Sequence, residues 1–419
     1  MRVVCALALF LFCVATAQTA RDPEPAAAES PIPNPESRLS ISLLTIGPGE
    51  VFFERFGHNA IVVRDPAGEE SEAYNYGIFD FDQQDFLLNF ARGRMLYRMA
   101  VDALDDDVAM YRDEGRQITE QNLNLTPEQA RSLVTFLEWN AQPQNAQYRY
   151  DYFEANCSTR VRDALDRALG GALHAQSEGR SRGYTYRLDA LRLMAPSPLL
   201  MLGIDLGLGP YADQRIDYWQ ESFVPATLSS VTGQVKLRAA DGHEFPLVTS
   251  TAALSTGQVE EPPALPPDLR WPFLILGLAL GVTLTWLGHS RRAAVRIPLA
   301  IFAGTFELFC GVGGAVLLFL WLYTEHRAAW RNENLLLLSP LCLLLVPAWF
   351  ASMRANWRVR RMTIGIAWLV VLGAAFALFS KILPWFAQAN LHWILLFLPM
   401  HVALAMVMQA RSRSMVCTP

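Results

Sequence analysis

One cysteine in the soluble part of this chain stands where it could act as a nucleophile. Cys157 follows an extended aromatic stretch in which Tyr148, Tyr150 and Tyr152 alternate, and it sits directly after Glu154-Ala155-Asn156. Beyond it Val161, Ala164, Leu165, Ala168 and Leu169 mark one helix face, ended by Gly170-Gly171. The spacing predicts a helix with Cys157 at or within its first turn and Asn156 as a supporting neighbour. Free backbone N–H groups and the positive dipole end there favour thiolate, so a lowered thiol pKa is expected. The same N–H groups could stabilise an oxyanion. The competing reading is a small buried side chain filling a helix–sheet contact.

A thiol nucleophile needs a base and a group to orient it. The soluble region offers His58, His174 and His243. His174 follows the Gly-Gly helix end and His243 sits in an Asp-Gly-His-Glu turn, so both read as surface loops. His58 opens a strand after Phe56-Gly57, where a glycine lets the backbone approach another element. Asn75 and Glu72 on the next strand are the candidate orienting groups, with Asn75 preferred and Tyr74 and Tyr76 flanking it. Glu54 and Arg55, in the loop before His58, could touch substrate, though solvation of a loop is the preferred reading of them. Asp102, Asp105, Asp106 and Asp107 lack the glycine and glutamate of a calcium loop and read as a solvated helix start. No Cys/His spacing resembles a zinc site, and no G-x-G-x-x-G or phosphate-loop pattern occurs, so neither metal nor nucleotide cofactor is expected.

The elements that must position these groups are mixed. Strands are expected over 39–46, 58–64, 72–76 and 94–101, with a turn at Asp65-Pro66-Ala67-Gly68 and a helix over 82–90. Thr126-Pro127-Glu128-Gln129 combines an N-cap, Pro at N1 and a capping-box Gln, and opens a helix to about 139. Antiparallel hairpins interleaved with helices make this an α+β domain over 38–255. The segment 215–225, aromatic and charged, is expected either to pack the domain edge or to rest on a membrane surface.

The rest of the chain is organised for export and membrane insertion. With 52% hydrophobic and 18% charged residues, it is too apolar for an ordinary soluble enzyme of 419 residues, and the excess lies beyond about residue 260. Arg2, an apolar run over 3–14 and Ala15-Thr16-Ala17 read as a signal peptide (1–17), followed by a Pro/Ala/Glu-rich spacer over 18–37. Of six cysteines, only Cys157 falls in the soluble domain, where a thiol without a partner in an oxidising compartment needs a reason.

A Pro-rich linker (256–270) leads to five apolar runs at 271–288, 297–323, 335–350, 363–380 and 391–408, within an all-α domain over 271–409, and then a tail over 410–419. Nine arginines (291, 292, 296, 354, 358, 360, 361, 411 and 413) fall on one side, against Arg327, Arg331 and Lys381 on the other. That bias puts the soluble domain outside and the C-terminus in the cytoplasm. Glu307 lies inside the second run, where an ionisable group is costly. The outer loop carries Glu325-His326-Arg327 and Asn332-Glu333-Asn334, so His326 and Asn334 are candidate headgroup-level residues, with a hydrated loop and helix cap as the alternative. A net charge of −5 and the lack of a Lys/Arg run give no sign of nucleic-acid binding.

The segments FGHNAIVV (56–63), AYNYGIFDF (73–81), FARGRMLYRM (90–99) and YDYFEANCSTRVRDAL (150–165), with HRAAWRNENLLLLSPL (326–341), together resemble the Lnb-type family over about 38–409. The resemblance implies a lipoprotein N-acylating transferase, which moves a fatty acyl chain from a diacylglyceryl-cysteine to its α-amino group. It also implies a permuted papain-like, NlpC-type domain in which His precedes Cys, with Cys157 as nucleophile and His58 as base. The expected partner is a lipid or lipoprotein substrate at the outer face of the inner membrane. A papain-like amidase on cell-wall peptides and a non-catalytic envelope scaffold are the rival readings.

Overall fold

The computed structural model describes residues 39–65, 70–79, 85–239, 241–290, 292–354 and 357–413. The signal-peptide and spacer expectations, the turn at 66–68, the start of the 82–90 helix and the end of the tail lie outside these residues.

The soluble domain is built on a seven-stranded antiparallel sheet. Its strands are β1 (Ser40–Ile46), β2 (His58–Arg64), β3 (Glu72–Phe79), β4 (Leu96–Ala103), β5 (Gln117–Leu123), β6 (Gln147–Arg149) and β9 (Val248–Thr256), in spatial order β6-β4-β3-β2-β1-β5-β9. A separate hairpin pairs β7 (Lys236–Arg238) with β8 (Glu244–Pro246). The central strands are apolar on both faces because both are covered. On one face Leu43, Ile61, Val63, Tyr74 and Tyr76 meet Leu133 and Leu137 of α3 (Pro127–Ala141) and Val161 and Leu165 of α4 (Cys157–Ala168). On the other, Leu44, Ala60, Val62 and Ala73 meet Leu104 of α2 (Leu104–Asp113). Each fully buried leucine contributes roughly 1.5–3 kcal/mol of transfer free energy. The Thr126–Gln129 capping box forms as expected. So does the short helix after residue 85, here α1 (Phe86–Arg92).

The second region is helical and apolar. Among the described residues, four helices are long and apolar enough to cross a bilayer, and a bent pair makes a fifth candidate. Among the further soluble-domain helices that precede them are α5 (Tyr186–Met194) and α6 (Pro198–Gly207). The four long helices are α7 (Arg270–Gly288), α8 (Ala293–Tyr323), α10 (Arg361–Ser380) and α11 (Leu391–Arg413).

The helix expected over 335–350 is not continuous. The segment breaks into 3₁₀ turns at Glu333–Leu336 and Pro340–Leu344 and a short α9 (Val346–Ala351), bent by 52°. Pro340 and Pro347 each remove a backbone donor, which breaks the helical ladder here. The segment still traverses the bundle. It begins beside the Tyr323 end of α8 and finishes at Met353, whose carbonyl accepts from Arg296 Nη2 at the other end of that helix (3.2 Å). A helix of 31 residues is about 45 Å long, so this is a broken span and not a re-entrant hairpin.

Soluble and membrane regions interlock at one end of the bundle. Asp205 of α6 accepts from Arg187 Nη1 (2.6 Å), His392 Nε2 (2.5 Å) and Trp393 Nε1 (2.8 Å). The carbonyls at the end of α6 take the side-chain amides of Asn332 and Asn334. Asn334 is fully buried and also accepts from Asn390 Nδ2 (2.8 Å). It is therefore a helix clamp, not the headgroup-level contact expected, because the loop that carries it folds under the soluble domain.

Candidate active site

Cys157 is the first residue of α4. Asn156 caps the helix by accepting from Thr159 N (2.9 Å), and Thr159 Oγ1 accepts in return from Asn156 N (2.8 Å). The Asn156 amide also donates to the Phe223 carbonyl (2.9 Å), and Ser158 Oγ donates to the Ser222 carbonyl (2.7 Å). Asn156 is thus a buried cap that holds the helix bearing Cys157. The 215–225 stretch packs the domain edge, with Ile216 and Phe223 buried, and braces the N-terminus of α4.

Two glycines let this end of the helix come close. Gly77 has φ +90°, and a Cβ there would stand 3.1 Å from Cys157 Cβ. It lies in the register shift where β3 leaves its ladder with β4 between Asn75 and Ile78. Gly57 has φ +84°, and a Cβ there would meet the Ile46 carbonyl at 2.6 Å. That fixes where β2, and with it His58, begins.

The sulfur lies against the His58–Asn59 peptide, within reach of the Asn59, Ser158 and Cys157 backbone N–H groups. Those amides and the charge of Arg116 act in the direction the helix dipole predicts. Burial outweighs them and pushes the thiol up to about 11. The expected low thiol pKa is overturned: the site rests as a neutral thiol. His58 is correspondingly neutral, pushed down to about 4 by burial first and by Arg116, against the pull of Asn75 and Asp102. Thiol and imidazole share no hydrogen bond in this resting arrangement.

Register explains which neighbours join His58. Ala60 pairs with Asn75 across β2 and β3, so His58 and Asn75 share the sheet face that α2 covers. His58 Nε2 and Asn75 Oδ1 are 2.9 Å apart. Asn75 Nδ2 donates to Asp102 Oδ2 (3.0 Å) and Asp107 Oδ2 (2.7 Å). Two carboxylates can only accept, so they fix which end of the amide faces the imidazole. Oδ1 then requires a proton on His58 Nε2, which leaves Nδ1 as the bare base. Asp102 and Asp107 are therefore not merely solvating a helix start. Asp107 is buried, and burial raises its pKa above the usual carboxylate range.

Tyr74, Tyr76 and Glu72 point to the opposite face by the same alternation. Tyr74 donates to Glu72 Oε2 (2.8 Å) and Tyr76 to Asn140 Oδ1 (2.7 Å), both rings buried in the core. They support the sheet and do not meet substrate. Glu54 ends a 3₁₀ turn (Phe52–Glu54) close to Arg116, and burial raises its pKa. Arg116, buried, donates to the Gly47 carbonyl (3.0 Å) and lies over the Tyr111 ring (4.8 Å), itself 6.2 Å from the His58 ring. Sequence reading missed Arg116, and no local pattern marks it.

An aromatic file leads from the thiol to the membrane region. Tyr97, Tyr148 and Tyr150 all stand within electrostatic reach of the sulfur; burial raises all three phenols first, followed by that neighbour for Tyr148 and Tyr150 and by Tyr152 ahead of it for Tyr97. Tyr97 stacks on Tyr150 (4.0 Å), Tyr150 meets Tyr152 edge-on (5.9 Å), and Tyr152 stacks on His326 (6.0 Å). His326 Nε2 also bonds the Phe90 carbonyl (3.0 Å) at the end of α1, whose Leu87, Leu88 and Phe90 are exposed. Glu325 beside it pairs with Arg94 (2.7 Å) and with Arg149. The alternation of Tyr148, Tyr150 and Tyr152 was the signal for this file. Its destination was not legible. His243 lies in the exposed turn expected of it, whereas His174 is half-buried in a short helix (Ala172–Ser177), its ring edge-on to Trp219 (4.5 Å).

Residues 34–196 match the family model described as the Lnb N-terminal periplasmic domain, and residues 270–413 match the Lnb transmembrane domain. No curated protein matches, and no solved structure does.

Proposed function

The chain belongs to the Lnb family, and from that membership we propose that it is a cysteine-dependent acyltransferase working at the membrane surface. The observation that carries the reading is the pairing of two features. Cys157 lies against the His58–Asn59 peptide and the His58 ring bonds Asn75, while an aromatic file joins that site to the membrane-region loop at His326. An apolar acyl chain can follow aromatic rings, whereas a cell-wall peptide would need a polar cleft, so the geometry favours lipid over the amidase reading.

The chemistry follows from the resting protonation. Cys157 Sγ attacks an ester carbonyl while His58 Nδ1 takes the thiol proton, so the ion pair exists only as the C–S bond forms. Backbone N–H groups at the start of α4 face the developing oxyanion. The tetrahedral adduct collapses to a Cys157 thioester as His58 returns the proton to the departing alkoxide. An incoming amine then attacks the thioester, His58 accepts its proton, and the thiol is restored with an amide as product. The ester supplies the activated acyl group, so no nucleotide or other cofactor is required.

The fold reading that goes with this is a permuted papain-like domain, supported by the order His58 before Cys157 and by a Cys-bearing helix packed on an antiparallel sheet. The lipoprotein N-terminus is the substrate the family implies, at the outer face of the inner membrane, with the C-terminus cytoplasmic. The arginine-rich ends of the spans, opposite the soluble domain, agree with that orientation. Mass spectrometry of lipoprotein N-terminal peptides, with and without this protein, tests the proposal. Acyl movement lost in Cys157→Ala and His58→Ala, with normal insertion, is the expected result. Unchanged acylation in cells lacking the protein refutes it.

A further inference from the structure

Deep in the membrane region, away from Cys157, four side chains of metal-binding type converge. Glu307 and Cys310 lie one turn apart near the middle of α8, Cys342 sits in the broken span, and His401 is on α11. All four are at least nine-tenths buried. A carboxylate oxygen of Glu307, the Cys342 sulfur and a ring nitrogen of His401 all lie within 4.8 Å of one another. Cys310 adjoins both Cys342 and His401.

The hydrogen bonding is that of a ligand set. His401 Nε2 lies 3.0 Å from the Leu337 carbonyl, which can only accept, so the ring proton sits on Nε2. Nδ1 is left with its lone pair and no partner. A backbone carbonyl behind one imidazole nitrogen is the arrangement that orients a metal-bound histidine. Glu307 Oε2 likewise has no partner, an expensive condition for a carboxylate in hydrocarbon. The Trp349 indole N–H, beside the same carboxyl, can donate but cannot ligate.

We propose that Glu307, Cys342 and His401 bind a borderline-soft divalent transition metal of the zinc class, with Cys310 beside the site as a neutral thiol outside the ligand set. One carboxylate, one thiolate, one neutral imidazole and a dication sum to zero charge, the cheapest sum to hold in a bilayer. Sulfur, imidazole and carboxylate together suit zinc and not magnesium or calcium. The irregular backbone of the broken span is tolerated at this depth only where protein covers it. The metal ties that span to α8 and α11, a structural role distinct from acyl transfer.

The test is elemental analysis of the full-length chain purified in detergent without chelator, paired with cobalt reconstitution. The expected result is about one zinc per chain, and a thiolate-to-cobalt charge-transfer band that Cys342→Ser and His401→Gln lose and Cys157→Ala keeps. Chelation should also lower the melting temperature of the unmutated protein, a readout that does not depend on any variant folding. Unmutated protein that is folded, carries no transition metal and gives no band with added cobalt overturns the proposal. A band unchanged by Cys342→Ser overturns it as well.

Discussion

The two carboxylates behind Asn75 make a prediction that separates an oriented base from a merely buried histidine. Asn75 Nδ2 donates to Asp102 at 3.0 Å and Asp107 at 2.7 Å. A hydrogen bond to a charged group contributes about 1.5–3 kcal/mol, so the pair holds the amide in one orientation by roughly 3 kcal/mol or more. The flipped amide, which would present N–H to His58 Nε2 and move the ring proton to Nδ1, is then below about 1%. Asp107→Asn removes one charge and should lower kcat/KM for acyl transfer by about 10–100-fold, since about 1.4 kcal/mol is a factor of ten. Asp102→Asn combined with Asp107→Asn should cost more than either alone. Introducing Asn75→Asp into that double variant should restore much of the rate, because a carboxylate accepts from Nε2 whichever way it is turned. The assay is single-turnover acyl transfer in detergent micelles, with thermal unfolding as the control for folding. Full activity in a folded double variant, or a failed rescue by Asn75→Asp, would refute the orienting role.

Other consequences are as direct. Because His58 is held near 4, the acid limb of kcat/KM should fall toward pH 4 instead of near 6.5, as a pH–rate profile will read. Its folded pKa lies below the ordinary value of 6.5, so between 6.5 and about 4 the unfolded chain binds the extra proton. The melting temperature should therefore drop as pH falls through that window, and less so in His58→Gln. Gly77→Ala puts a Cβ 3.1 Å from Cys157 Cβ at φ +90°, and should cost about 1–3 kcal/mol of stability while cutting Cys157 alkylation and acyl transfer together. Asp205→Ala strips a buried carboxylate from Arg187, His392 and Trp393. The loss should be about 3–5 kcal/mol, read as earlier unfolding and faster proteolytic release of the soluble domain. His326→Ala should raise KM for a long-chain ester more than for a short, soluble thioester, since it removes only the membrane end of the aromatic file.

Much of this protein follows from local rules. The helix beginning at Cys157, the Thr126 capping box, the strand His58–Arg64 and the apolar runs all depend on residues near in sequence, where period and cap chemistry act without help from the fold. The break in the third apolar run was also written there, in Pro340 and Pro347, although its length and hydropathy argued for a plain helix.

Tertiary structure decided what depends on register and burial. Asn75 and not Glu72 serves His58 because antiparallel pairing and a period of two put one on the shared face and the other behind it. Asn334, Tyr74 and Tyr76 were lost as substrate contacts for the same kind of reason: packing had already assigned them buried partners. Asp102, Asp107 and Arg116 joined the site from elements 27 to 58 residues away from Asn75 and His58, a convergence that no window of sequence contains. The Cys157 thiol shows the limit most clearly. The helix terminus that sequence identifies does favour the thiolate, but desolvation scales with everything packed around the sulfur, and that sum reversed the sign.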